Sequence, residues 1–107
     1  MSTWSIAYDD GARDDIFAIF DHIAKDSVIN ADKAIERLES RILSLSRFPE
    51  RGRVVPELQW VGITDISEVF EKPWRILYQF AHGEVRVMAV YDGRRRLDDV
   101  VLERFLR

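Results

Sequence analysis

Two alternating runs joined by a tight turn constrain this chain more than any other feature. Trp74, Ile76, Tyr78 and Phe80 alternate with Arg75, Leu77 and Gln79, and Val85, Val87, Ala89 and Tyr91 alternate with Arg86, Met88 and Val90. A period of two belongs to a half-buried strand, and the intervening Ala81-His82-Gly83-Glu84 predicts an antiparallel hairpin. Pairing Phe80 with Val85 sets Tyr78 against Val87, Ile76 against Ala89 and Trp74 against Tyr91. One face of the hairpin is then continuously apolar and must be covered. The other, with Arg75, Leu77, Gln79, Arg86, Met88 and Val90, is mixed.

The cover is legible upstream. Ala31, Ile35, Leu38, Ile42 and Leu45 step by four and three along one face of a helix, with charged residues elsewhere. Phe48 prolongs that stripe and Pro49 is expected to stop it. A first helix is predicted from about Asp10 to Lys25, led by Asp9 and Asp10 and lined by Ile16, Ile19, Phe20 and Ile23. Asp26-Ser27 restarts the pattern, so the two helices form an antiparallel hairpin. Trp4 to Tyr8 reads as a short strand, residues 50–65 as a loose connection, and Ile66 to Phe70 as another strand. Leu97, Val100, Val101, Phe105 and Leu106 suggest a short C-terminal helix that covers part of the mixed face or docks on a partner. The expected fold is α+β: an N-terminal strand, a helix hairpin packed on a small, largely antiparallel sheet, and a C-terminal helix, in one domain over residues 1–107.

Charge narrows the function. The formal net charge is −3, which disfavours sequence-independent nucleic-acid binding. Residues 1–50 carry 6 Lys/Arg against 10 Asp/Glu, whereas residues 51–107 carry 10 against 9. The densest cationic point is Arg94-Arg95-Arg96, directly after Tyr91-Asp92-Gly93, where an anionic partner would dock. The chain has no cysteine, so disulfides and thiolate chemistry are excluded. His22 and His82 have no second ligand at metal spacing, and neither a metal nor a cofactor is expected. No signal-like N-terminus and no run of roughly 18 apolar residues is present, which predicts a cytoplasmic protein without a membrane partner. No Ser-His-Asp set, glycine-rich phosphate loop or paired-carboxylate site is apparent.

Several pieces, in order, resemble the RelE/ParE family of bacterial toxins from type II toxin–antitoxin modules. They are Ala12-Arg13-Asp14-Asp15-Ile16, Leu45 through Arg53, Val55-Pro56-Glu57-Leu58, Ile66-Ser67-Glu68-Val69, Trp74-Arg75-Ile76-Leu77-Tyr78 and Gly93-Arg94-Arg95. The resemblance implies one of two activities: poisoning of DNA gyrase in the ParE-like branch, or metal-independent cleavage of mRNA on the ribosome in the RelE-like branch. In the nuclease branch arginines stabilise the charge developing on phosphate. Arg75, Arg94 and Arg95 are the catalytic candidates under that reading, and Arg75 has a structural alternative as the ion-pair partner of Glu68. Ser67 and Asp92 stand where the family often carries Arg and His, which removes cations from the nuclease face and favours the ParE-like branch. Arg94, Arg95, Arg96, Arg51 and Arg53 are the expected target-binding residues. A cognate antitoxin is the implied partner, docking on Leu77, Met88 and Val90 or on the stripe of the helix hairpin. A degenerate member that only binds antitoxin is the remaining alternative. Tyr91, on the core face by the register above, is expected to pack rather than move protons.

Overall fold

The computed structural model describes residues 3–95, 104 and 105. Arg96 and most of the expected C-terminal helix lie outside these residues. Strand β1 (Ser5–Tyr8) is followed by α1 (Asp10–Ala24) and α2 (Val28–Ser44), then a 3-10 turn (Pro49–Arg51), β2 (Arg53–Val54), the single-turn α3 (Pro56–Gln59), β3 (Ser67–Glu71), β4 (Trp74–Ala81) and β5 (Glu84–Asp92). The strands form one sheet in the order β1-β5-β4-β3-β2. Every neighbouring pair is antiparallel except β1 with β5, which is parallel. The helix hairpin lies between β1 and the rest of the sheet in sequence, which gives the chain the length a parallel return requires.

The helix boundaries follow local chemistry. Ser27 caps α2, its Oγ accepting from the Asn30 N–H at 3.1 Å. Asp9 precedes α1 but makes no side-chain cap; its carboxylate takes Arg86 of β5 at 3.0 Å instead. Helix α2 stops at Ser44, short of the expected end at Phe48, and Phe48 is half exposed. Tyr78 explains the early stop. Its hydroxyl donates to the Pro49 carbonyl at 2.6 Å and accepts from the Gly52 N–H at 2.9 Å, drawing the chain down onto the sheet. Gly52 is required there, because a Cβ would sit 2.4 Å from that hydroxyl.

The β4–β5 hairpin begins as the alternation predicts. Two residues with positive φ, His82 and Gly83, make the turn, and Phe80 pairs with Val85 and Tyr78 with Val87. A bulge then places Met88 as an extra residue, so that Leu77 pairs with Ala89, Ile76 with Val90, Arg75 with Tyr91 and Trp74 with Asp92. The expected register is corrected from this point onward: Val90 moves to the helix side, and Ala89 and Tyr91 move to the opposite face. The bulge coincides with the end of β1, whose last residue Tyr8 lies opposite Val87. Beyond it the open edge of β5 is met by α1, where Asp15 accepts from the Val90 N–H at 2.9 Å.

Two cores result. The larger lies between the helix hairpin and the sheet, around Leu38, Ile42, Leu45, Ile76, Tyr78, Val87 and Val90. The smaller lies on the opposite face, where α3 lowers Val55 and Leu58 onto Leu77, Ala89 and Tyr91. That second core occupies the face expected to be mixed and partly open, within the stretch read as a loose connection.

Candidate functional site

The chemistry of the chain converges beneath α3. Glu68 on β3 is 1% exposed and Arg75 on β4 is 7% exposed. They lie diagonally across the β3–β4 pair, with Arg75 Nε donating to Glu68 Oε1 at 2.6 Å, as the ion-pair reading of Arg75 requires. The outer edge of the same guanidinium forms a two-toothed clamp with Glu57 of α3: Nη1 to Oε2 at 2.9 Å and Nη2 to Oε1 at 3.1 Å. Arg53 of β2 donates to the second oxygen of Glu68 at 2.8 Å. The Arg75 guanidinium carbon lies 5.7 Å from the centre of the Tyr91 ring and 5.8 Å from that of Phe70, and Arg53 lies 5.3 Å from Phe70.

This network is electrically closed. Burial pulls the Arg75 pKa down, but the carboxylates of Glu57 and Glu68 outweigh it and hold it above its ordinary value. The hydrogen bond from Arg75 is the main reason the Glu57 pKa is lowered. Burial raises the Tyr91 pKa, and its hydroxyl is enclosed without a hydrogen-bond partner among the described residues. A buried guanidinium clamped between two carboxylates is poorly placed to take a phosphate, and a phenol in that state moves protons poorly near neutral pH.

The remaining sequence candidates are scattered. Arg51 donates to Ser44 Oγ at 2.9 Å and lies over Phe48. Arg94 is bound to Asp92 through Nε at 2.9 Å and Nη2 at 2.5 Å. These contacts hold the Asp92 carboxyl at about 2, below its ordinary value of 3.8. Its contribution to stability is therefore complete above the ordinary value and is lost as pH falls through the lowered one. A carboxyl NMR titration of Arg94→Gln should show Asp92 returning to the ordinary range. Arg95 makes no ion pair among the described residues, and it lines a cleft of about 430 Å³ against α1 with His22 and Asp15. His82 sits exposed in the hairpin turn. Among the described residues no group of three His, Cys, Asp or Glu side chains is placed to hold a metal ion.

The burial pattern disfavours the expected docking trio. Leu77 is fully buried under α3, Val90 is 1% exposed in the helix-side core, and only Met88 reaches solvent in part. The bulge and the unforeseen α3 are the causes. An accessible apolar groove lies on the helix hairpin instead. Tyr8, Ile16, Phe17, Phe20 and Ile35 line a groove of about 670 Å³ flanked by Arg13 and Glu39, and Phe17 is 69% exposed. Its signal was present in the sequence, since Phe17 and Phe20 fall on the flank of α1 beside the buried stripe.

A helix hairpin on one face of a five-stranded sheet, with α3 packed on the other, defines a small α+β protein. The family described as the ParE toxin of type II toxin–antitoxin system, parDE, matches residues 6–97. The chain belongs to this family, within the wider RelE/ParE group of type II toxins. It is 30% identical over 84 residues to Toxin ParE3 of Caulobacter vibrioides, covering 78% of this chain and 80% of that one. Its fold is similar to that of the chromosomal ParDE system from P. aeruginosa, with a TM-score of 0.68, 17% identity, and coverage of 83% and 95%. It is also similar to the toxin–antitoxin complex RelBE2 from Mycobacterium tuberculosis, with a TM-score of 0.60, 19% identity, and coverage of 86% and 93%.

Proposed function

We propose that this toxin arrests bacterial growth by protein–protein contact with DNA gyrase in the cytoplasm, and that a cognate antitoxin neutralises it. The observation that carries this reading is the state of Arg75 and Arg53. Arg75 is buried and clamped by Glu57 and Glu68, and Arg53 gives its Nε to Glu68, which disfavours this sheet face as a site for metal-independent RNA cleavage. Arg95, with Arg94 and Arg96 beside it, is the target-facing cation under this reading. An amphipathic antitoxin segment fits the hairpin groove, its apolar residues meeting Phe17 and Phe20 and its charges meeting Arg13 and Glu39. No helix among the described residues is long and apolar enough to cross a membrane, in keeping with soluble partners.

A supercoiling assay tests both halves. Purified wild-type chain at micromolar concentration should block supercoiling by gyrase, Arg95→Ala should weaken the block, and the co-encoded antitoxin should relieve it. Phe17→Glu should remain toxic yet need at least about 30-fold more antitoxin, the cost of losing an aromatic anchor worth about 2 kcal/mol. Unimpaired supercoiling, together with new codon-positioned mRNA ends in expressing cells, would move the assignment to ribosome-dependent cleavage. Unimpaired supercoiling without growth arrest would leave antitoxin binding as the whole function.

A further inference from the structure

The flank of α2 opposite the hairpin groove carries a feature that gyrase contact and antitoxin capture leave unused. Lys33, Arg37 and Arg41 step by four along that flank, and with Ser40, Ser44 and Glu71 of β3 they line a trough of about 560 Å³. At Arg41 the trough runs into a second hollow of about 330 Å³, lined by Arg51, Arg53 and Phe70. Apart from Arg53, which pairs with Glu68, four cations thus gather along one border of a chain whose net charge is −3. The facing carboxylates are Glu36, Glu71 and Glu68, and Glu68 is already balanced within the network of Arg75, Arg53 and Glu57.

We infer that this border is a docking trough for an extended acidic peptide segment. Three observations point to a peptide. First, Glu71 demonstrates the fit of a carboxylate: its Oε2 accepts from Arg37 Nε and Nη2, both at 3.2 Å, and its Oε1 accepts from Arg41 Nε at 3.4 Å. One carboxylate shared by two guanidiniums leaves positive charge over. Second, the repeat matches. Residues four apart on a helix are spaced by about 6 Å, and alternate residues of a strand by about 6.6 Å, so carboxylates at every second position of an extended chain meet successive cations of α2. Third, β3 runs past its neighbour: among the described residues β2 pairs only with Ser67 and Glu68, and no strand lies beside Val69–Glu71 along the trough. An added strand can pair with that edge through its main chain, which a nucleic acid cannot do. Interleaved Glu36 and Glu71 further disfavour an unbroken line of phosphates. Phe70 is 44% exposed at the end of the trough and offers an apolar contact.

The inference does not depend on the gyrase reading, because it uses a different surface and a binding readout. A fluorescein-labelled octapeptide of alternating glutamate and threonine would be titrated against the full chain by fluorescence anisotropy, with a labelled dodecathymidylate in parallel. The peptide should bind and weaken between low and physiological salt. Lys33→Ala/Arg41→Ala should reduce its affinity by about 10-fold or more. Lys33→Ala alone, which breaks no ion pair among the described residues, should reduce it about 3-fold, the scale of one exposed charge pair. Equal binding by wild type and Lys33→Ala, no peptide binding at all, or tighter trough-dependent binding of the oligonucleotide would each overturn the assignment.

Discussion

Replacing Arg75 by Met should destabilise the fold by about 3–5 kcal/mol, a large share of what holds a domain of this size together. The reason is the partner left behind. Glu68 is 1% exposed, and Arg75 supplies its nearest cation at 2.6 Å. Without it the carboxylate keeps only Arg53, whose side chain is 60% exposed and whose pairing is correspondingly screened. Glu57, which is 38% exposed, can return to water, so the loss concentrates at Glu68. Urea unfolding measures this directly, and the double variant Glu68→Met/Arg75→Met supplies the control. Removing both charges should recover all but about 1–2 kcal/mol, because buried pairs replaced by apolar groups of similar volume are often close to neutral. A single variant as stable as wild type would mean the network is ornamental to the fold, and the argument that it withholds Arg75 from phosphate would fall with it.

Leu77→Ala should cost about 2–5 kcal/mol, the usual range for emptying a sealed leucine site. Leu77 is fully buried among Val55, Leu58, Ala89 and Tyr91, in the core that α3 covers. The same substitution separates two roles. As a core residue, Leu77 moves the unfolding midpoint, and antitoxin affinity measured well below that midpoint stays near wild type. As a docking residue it would do the reverse. A variant with unchanged stability and lost antitoxin binding would restore the sheet face as the docking surface.

Much of the fold was legible because its signals are local. The 3.6-residue stripe of α2, the Ser27 cap and the turn at His82-Gly83 each act within one helical turn or one hairpin, and each stands where the sequence predicts. The site was legible in fragments. Arg75 with Glu68 followed from strand pairing, but Glu57 did not, since a four-residue helix starting at Pro56 has no periodicity to read. Ala89, Val90 and Tyr91 lie on the faces opposite to those the alternation predicts, for a related reason: a bulge inserts one residue without any change in residue type that announces it.

By itself the sequence determined the family, the helix hairpin, the turn-linked strand pair and the acidic balance that argues against general nucleic-acid binding. Those depend on short-range spacing and on sums of charge. Tertiary structure alone decided which face each residue beyond Met88 occupies, that the far face of the sheet is a second core, and that Arg75 is spent on two carboxylates from different elements. A side chain's partner across the sheet is set by register and by what packs above it, and neither is encoded in the spacing of its own strand.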